Sequence, residues 1–291
     1  NDWFGSRWIT NTALISAISL TACVIIELKR GEPFINLRLL ARRNFGFGSA
    51  ISVAAGVGLY GTIYLLPVYL ARVQGYNALQ IGETIMWSGV PQLLMMPVAA
   101  ALTRRYDARA LISLGLAVFA GSCFLNSAMT NLTAYDQLKL AQVLRAIGLP
   151  LFMVPLTTLS TSGIEPEQTG SASALYNMLR NLGGSIGIAL LATQLDWREK
   201  FHSVRLGESV STFSAATQQR LEGLTQHFLA LGGDAANAGQ QALGALSATV
   251  RREAWVMAFS DCFFIIGVVL LAMIPLAWLC RPAKGSVAGA H

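Results

Sequence analysis

The chain has 291 residues, of which 54% are hydrophobic and only 12% are charged, and its formal net charge is +6. Soluble domains carry about 25% charged residues, so this composition excludes an ordinary soluble globular protein. It also argues against nucleic-acid binding, because the basic residues lie beside apolar stretches and are better explained by membrane topology.

Seven apolar stretches follow one another along the chain, and each has the roughly 20 residues that a membrane-spanning helix needs. They cover residues 8–26, 45–70, 78–102, 111–129, 138–162, 170–195 and 254–279, and their only charged residues are Glu83, Lys139, Arg145, Arg180 and Asp261. The pattern predicts an all-α integral membrane protein with seven transmembrane helices. The chain opens with Asn1 rather than Met, and we expect more protein upstream.

The segment between the last two stretches is the one sizeable polar region. Leu221, Leu224, Phe228 and Leu231 recur at helical spacing, Gly232-Gly233 follows, and then comes an Ala-rich stretch. This pattern predicts a helical hairpin or cap outside the membrane. His202 and His227 have no neighbouring ligand set, and we expect them to be solvated surface histidines.

Basic residues are distributed unevenly between the two sides of the predicted bundle. One set of loops contains Lys29, Arg30, Arg38, Arg42, Arg43, Arg104, Arg105, Arg109, Arg281 and Lys284, whereas the opposite short segments contain only Arg7, Arg72 and Lys139. Because short cytoplasmic loops are enriched in Lys and Arg, the chain is predicted to begin outside and to end in the cytoplasm. The long polar loop then lies on the outer, periplasmic side.

Glycine and proline are frequent within the predicted spans, and Gly183 and Gly187 form a small-xxx-small face. Such residues permit close helix packing, and in transporters they permit movement as well. Packing alone and a moving interface both remain open.

Charged residues inside the spans are candidates for function, because each costs about 2.5–3.5 kcal/mol at the centre of a membrane helix. Arg145, Asp261 and Glu83 share a similar depth on the outer side. We expect Arg145 to pair with Asp261 or Glu83, and protonation of the carboxylate to loosen the pair. The alternative is a static ion pair that only fixes helix packing.

A polar face on the sixth span is the candidate substrate cavity. Asn177, Arg180, Asn181 and Gly184 lie at positions i, i+3, i+4 and i+7, and Gln142 lies about one turn from Arg145 in the fifth span. Residues at this spacing share one side of a helix. The face either lines an aqueous cavity or packs against other polar groups within the bundle.

The run PLTTLSTSGIEPEQTGSASALYNMLRNLGGSIG at residues 155–187 resembles the EmrB/QacA-type drug:proton antiporters of the major facilitator superfamily, which have fourteen spans. Residues 2–4, 33–40, 64–69 and 104–109 carry further similarity. The EmrB branch of Gram-negative bacteria is the most similar, because of the long loop after the sixth span and the Ala290-His291 ending.

The resemblance implies a division of the chain. Residues 1–45 would be an extra inter-half transmembrane helix with a cytoplasmic amphipathic linker. Residues 46–291 would be the C-terminal six-helix bundle with a periplasmic loop at 196–253. Arg105, Asp107 and Arg109 would form a cytoplasmic charge latch, although the glycine that usually opens this loop is missing.

The resemblance also implies a function, which is proton-coupled efflux of amphipathic drugs across the cell inner membrane by alternating access. The proton would be the coupling ion, with no other cofactor. The partners would be a periplasmic membrane-fusion adaptor and an outer-membrane channel. Proton-coupled uptake of a small metabolite, or an uncoupled channel or scaffold, is the alternative. An enzyme is not expected, because no Ser/His dyad, paired-Asp or HExxH motif occurs in any span.

Overall fold

A computed structural model describes residues 6–29, 36–210, 214–232 and 234–282. Within these ranges the chain forms nine α-helices and two short 3₁₀ helices, with no strand. The α-helices are α1 (Arg7–Lys29), α2 (Arg43–Arg72), α3 (Ala78–Arg105), α4 (Ala108–Ser127), α5 (Tyr135–Thr161), α6 (Thr169–Ser209), α7 (Ala215–Ala230), α8 (Ala235–Ala272) and α9 (Ile274–Leu279), and the 3₁₀ helices are Leu37–Ala41 and Pro166–Gln168.

Six segments of the described chain are long and apolar enough to cross a membrane: α1 to α5, and residues 237–279 in α8 and α9. The predicted all-α membrane architecture is therefore confirmed. The sixth predicted span lies within α6, which is long enough but more polar than the others. Composition thus identifies six spans, and the seventh follows only from the position of α6 beside α2 and α8.

The spanning helices form two layers. α3 packs on α5, α5 contacts α2, and α2 packs along α6, which gives a front layer in the order α3, α5, α2, α6. α4 packs against α5 and α8, and α8 packs against α6, so α4 and α8 form a rear layer. Aromatic rings fill the space between the layers, and the Phe119 and Phe152 rings stack at 6.0 Å between centroids.

The front layer leaves one broad face open. α3 buries only Thr84, Ser88 and Ala99, and large apolar side chains such as Leu93 and Ile63 are 72% and 51% exposed. α1 packs mainly on the Leu37–Ala41 helix and buries no side chain. This placement agrees with a helix outside the six-helix bundle, while the division of the chain after residue 45 remains a prediction.

The loops gather at two opposite ends. At the basic end, Arg42 Nη1 donates to the Gly163 carbonyl at 2.8 Å, and Arg43 Nε donates to the Leu279 carbonyl at 2.8 Å. At the other end, called the loop end, Gln74 Nε2 donates to the Thr133 carbonyl at 2.8 Å. These contacts join chain turns that alternate along the sequence, so consecutive helices run in opposite directions. The cytoplasmic location of the basic end remains a prediction.

The long polar loop is helical, as the sequence predicts, but its boundaries differ. α6 continues to Ser209 and α8 already begins at Ala235, so much of segment 196–253 extends the two spanning helices. α7 packs on α8. Charged residues indicate where a helix leaves the hydrocarbon region of the membrane, but the helix itself can continue beyond them. This explains why the observed helix boundaries differ from the predicted loop boundaries. Asp2-Trp3-Phe4, Arg30, Pro33, Gly233, Lys284 and Ala290-His291 lie outside the described residues.

Candidate functional site

The polar face of α6 lies on the open side of the front layer. Asn177 and Asn181 are exposed and Arg180 is half-buried. Arg180 Nη2 donates to Asn177 Oδ1 at 2.8 Å, and the Tyr60 hydroxyl of α2 donates to Asn181 Oδ1 at 2.9 Å. Arg180 Nε is buried, and it has no hydrogen-bond partner within the described ranges. The sequence therefore placed these three side chains correctly together, but it gave no signal for Tyr60, because that contact joins two helices.

Gly184 does not lie on the open face. It is buried, and the Tyr60 ring occupies the position that a side chain at Gly184 would take. Gly183 meets the backbone of Val53 in the same way, and a side chain at Gly187 would lie 2.8 Å from the Val57 Cα. Gly184 thus belongs to the close contact of α2 with α6, where the Tyr60 ring covers it.

Gln142 is also buried, with 1% of its surface exposed, and its Oε1 has no hydrogen-bond partner in the described part of the chain. The prediction that it lines a cavity with Arg180 is therefore not supported by its position on α5. Helical spacing correctly placed Gln142 near Arg145 along α5. It could not show which neighbouring helix the Gln142 side of α5 packs against.

Arg145 does not pair with Asp261 or Glu83, so that expectation is wrong. Its Nη1 donates to Thr62 Oγ1 at 3.2 Å and its Nη2 donates to Ser88 Oγ at 3.1 Å. Glu83 is exposed on α3. Equal depth along the membrane normal did not bring these charges together, because they lie on different sides of the bundle.

Asp261 instead contacts α6. Its Oδ2 accepts from Arg198 Nε at 2.7 Å and lies 2.6 Å from His202 Nε2. Arg198 and His202 are one helical turn apart and therefore share a face. His202 is 8% exposed, so its predicted place on the solvated surface is wrong. The error follows from ending the sixth span too early, because the extension of α6 carries both partners to α8. These three residues are called the α6–α8 clasp.

The predicted latch residues only partly come together. Asp107 caps α4 by accepting from the Arg109 backbone N–H at 2.9 Å, and its carboxylate pairs with the Arg109 guanidinium at 2.9 Å. Hydrogen bonding from Arg109 lowers the pKa of Asp107 below its usual value. The Arg109 guanidinium also lies 5.3 Å from the centre of a Trp278 ring. Arg105 is exposed and does not join this pair.

The family described as "Major Facilitator Superfamily" matches residues 2–188. "Multidrug export protein EmrB" of Escherichia coli K12 is 29% identical, with 100% of this chain and 56% of the relative aligned. "Colistin resistance protein EmrB" of Acinetobacter baumannii is 27% identical over 93% and 52%. "Fatty acid resistance protein FarB" of Neisseria gonorrhoeae is 26% identical over 100% and 56%.

These matches confirm the predicted EmrB-like resemblance. The chain spans about half the length of the curated relatives it matches. Together with the apolar helices, they identify a multi-pass protein of the cell inner membrane.

Proposed function

Because the chain belongs to the Major Facilitator Superfamily, we propose that it forms one wall of a proton-driven exporter of amphipathic compounds. The route runs across the open front layer, and alternating access exposes it to one side of the membrane at a time. The names of the relatives refer to drugs, colistin and fatty acids. These are chemically diverse, and we take their shared amphipathic character as the property that the exporter selects.

The proposal rests on the Arg180 guanidinium, which forms no ion pair with any residue that the structure describes. No carboxylate of the described chain forms an ion pair with Arg180, and its Nε is buried without a partner. An uncompensated charge in a spanning segment is costly, so such residues usually face water or a ligand. With Asn177, Asn181 and Tyr60 around it, Arg180 supports a polar cavity wall that attracts anionic amphipaths.

Asp261 is the proposed proton acceptor. It lies in an apolar span, accepts a hydrogen bond from Arg198 of α6 and forms a second hydrogen bond with His202 of the same helix. Protonation removes its negative charge and weakens the attraction to Arg198, which releases α6 from α8 at the loop end. Coupling then follows if this release changes access to the cavity. A static clasp is the competing interpretation.

The proposed partners are a periplasmic membrane-fusion adaptor and an outer-membrane channel. The extensions of α6 and α8, with α7 between them, form a helical projection at the loop end, which supports a contact outside the hydrocarbon region. This proposal depends on the loop end being periplasmic, as the distribution of basic residues predicts.

Transport into everted membrane vesicles containing the full-length protein tests the function. An exporter accumulates a fluorescent amphipathic drug in these vesicles when the proton gradient is imposed, and an uncoupler abolishes the accumulation. Gradient-driven depletion would instead indicate uptake in the cell. Equilibration that ignores the gradient would indicate an uncoupled channel and would contradict the proposal.

A further inference from the structure

Arg145 is a second cation of the front layer that has no counter-ion among the residues that the structure describes. Its two hydrogen-bonded partners are neutral hydroxyls, Thr62 Oγ1 at 3.2 Å and Ser88 Oγ at 3.1 Å. No Asp or Glu residue within the described part of the chain forms an ion pair with Arg145. Asp261 is held by Arg198 and His202. A cation in this setting needs an anion from elsewhere.

The two hydroxyls orient Arg145 but cannot neutralise it. Thr62 Oγ1 donates its proton to the Leu59 carbonyl at 3.0 Å, and Ser88 Oγ donates to the Ile85 carbonyl at 2.8 Å. Each hydroxyl therefore offers only lone pairs to the guanidinium. A guanidinium has five N–H donors, and the remaining donors of Arg145 have no acceptor among the described side chains or backbone. The two hydroxyls therefore hold the Arg145 guanidinium in place, and its other N–H groups remain available to a ligand.

A small cavity lies beside Arg145. A cavity of about 30 Å³ is lined by Arg145 and Thr62 together with Ile63, Leu66, Pro67 and Ile85. Its lining is almost wholly apolar, and Arg145 and Thr62 are its only polar residues. Ile63 is 51% exposed, so the cavity lies next to the open face of the front layer. A small anionic group fits inside, and an apolar tail can continue over Ile63.

This cavity is separate from the Arg180 face. Arg180 approaches α2 at Gly56, where its carbonyl fills the space of a side chain, whereas Arg145 contacts α2 at Thr62. Six residues of helix place these contacts about 9 Å apart along α2, and the helical turn places them on different sides. The backbone of residue 180 and the Arg145 side chain therefore contact α2 at separate positions.

We propose that Arg145, positioned by Thr62 and Ser88, binds the carboxylate of an amphipathic small molecule whose apolar tail lies over Ile63. A carboxylate matches the planar, bidentate donor pattern of a guanidinium. This subsite rests on the proposed function, since it adds an anion-selective site to the same transport wall. It differs from that proposal in requiring only equilibrium binding and no proton gradient.

The test is equilibrium binding of dodecanoate and of its methyl ester to purified full-length protein in a neutral detergent. Arg145→Gln should weaken dodecanoate binding about tenfold or more, because a charged hydrogen-bonded pair is lost. Ester binding should change less than about twofold, and Arg145→Lys should lie between. Arg72→Gln is the matched control, because Arg72 stacks on Trp255 at the loop end, and it should leave both affinities unchanged.

A second pair of variants tests the proposed carboxylate site even if the Arg145→Gln protein fails to fold. Ile63→Asp places a tethered carboxylate beside Arg145 at an exposed position and should abolish dodecanoate binding while sparing the ester. Ile63→Asn, which has the same size without the charge, should retain both. Wild-type dodecanoate affinity in Ile63→Asp would overturn the subsite. Equal loss of dodecanoate and ester binding in Arg145→Gln would also overturn the subsite. So would unchanged binding of both ligands together with lowered protein stability, because that result would mean that Arg145 pairs with a carboxylate of the protein itself.

These outcomes are distinguishable from failure of the proposed function. Dodecanoate binding that depends on Arg145, combined with no gradient-driven transport, would retain the subsite and remove the exporter. Gradient-driven export without such binding would do the reverse.

Discussion

Ionisable side chains inside the bundle fall into two groups. Asp261 forms an ion pair with Arg198 and a hydrogen bond with His202, and both partners lie on α6 within 2.7 Å. Arg145 and Arg180 contact only neutral groups among the described residues. The first arrangement satisfies a buried charge internally, whereas the second leaves two cations without a carboxylate partner among the described residues. This contrast is the basis on which we propose proton chemistry for Asp261 and anion recognition for the arginines.

Asp261→Asn should abolish gradient-driven export in full-length protein while leaving downhill exchange of substrate between the two membrane faces. The substitution removes the titratable group but keeps a polar side chain of the same size. A matched control is Glu83→Gln, since Glu83 is exposed on α3 and outside the clasp. Unchanged export in Asp261→Asn would eliminate the proton role, and loss of both export and exchange would support a purely static clasp.

Arg180→Ala should weaken export of anionic amphipaths more than export of cationic ones, because the guanidinium attracts the former and repels the latter. Loss of a charged hydrogen bond corresponds to about a tenfold effect or more. Susceptibility of cells to a paired anionic and cationic compound measures the ratio. An equal loss of resistance to both classes would mean that Arg180 serves packing rather than selection.

Close contact between α2 and α6 is the dominant feature at the level of helices. Gly56 of α2 meets the Arg180 carbonyl, and Gly183 of α6 meets the Val53 carbonyl. The small-xxx-small pattern of Gly183 and Gly187 predicted tight packing, and the structure confirms it. Because these helices form one edge of the open face, their separation sets the position of Arg180 relative to Tyr60.

Gly183→Val should lower the thermal stability of the purified full-length protein, since overpacking a helix contact costs about 1–3 kcal/mol. Gly89→Ala is the control, because a side chain there meets nothing within 4 Å and alanine favours the helix. It should leave stability unchanged or slightly higher. A Gly183→Val protein as stable as the control would show that the two helices are not in close contact.

The sequence predicted most of the helices, because apolar length and glycine spacing are local properties. It placed Asn177, Arg180 and Asn181 on one face correctly for the same reason. It failed for the pairing of Arg145 with Asp261, since residue numbering gives depth in the membrane but not which helices are neighbours. It failed for His202 because a charged stretch was interpreted as loop, although α6 continues through it.

The two ends of the molecule should be accessible from opposite sides of the membrane. In a cysteine-free background, Arg105→Cys at the basic end should react with an impermeant maleimide only in everted vesicles. Gly223→Cys on α7 should react only in intact spheroplasts. Labelling of both positions from one side would invalidate the layout, and exchanged accessibility would reverse the predicted orientation.

A transport wall also requires water at the open face of the front layer but not behind the rear layer. Asn177 and Asn181 are exposed at the front, whereas Leu114 on α4 and Phe264 on α8 are 54% and 52% exposed on the rear helices. All four are accessible in the isolated bundle, so exposure alone does not separate them. The front and rear positions differ only in whether they contact an aqueous route in the membrane.

The most direct test is therefore thiol labelling at these four positions in the full-length protein within membranes. Asn177→Cys and Asn181→Cys should react with a hydrophilic maleimide and be protected by a transported amphipath. Leu114→Cys and Phe264→Cys should remain unlabelled in lipid. Labelling of the rear positions together with unreactive front positions would contradict a transport route lined by Arg180.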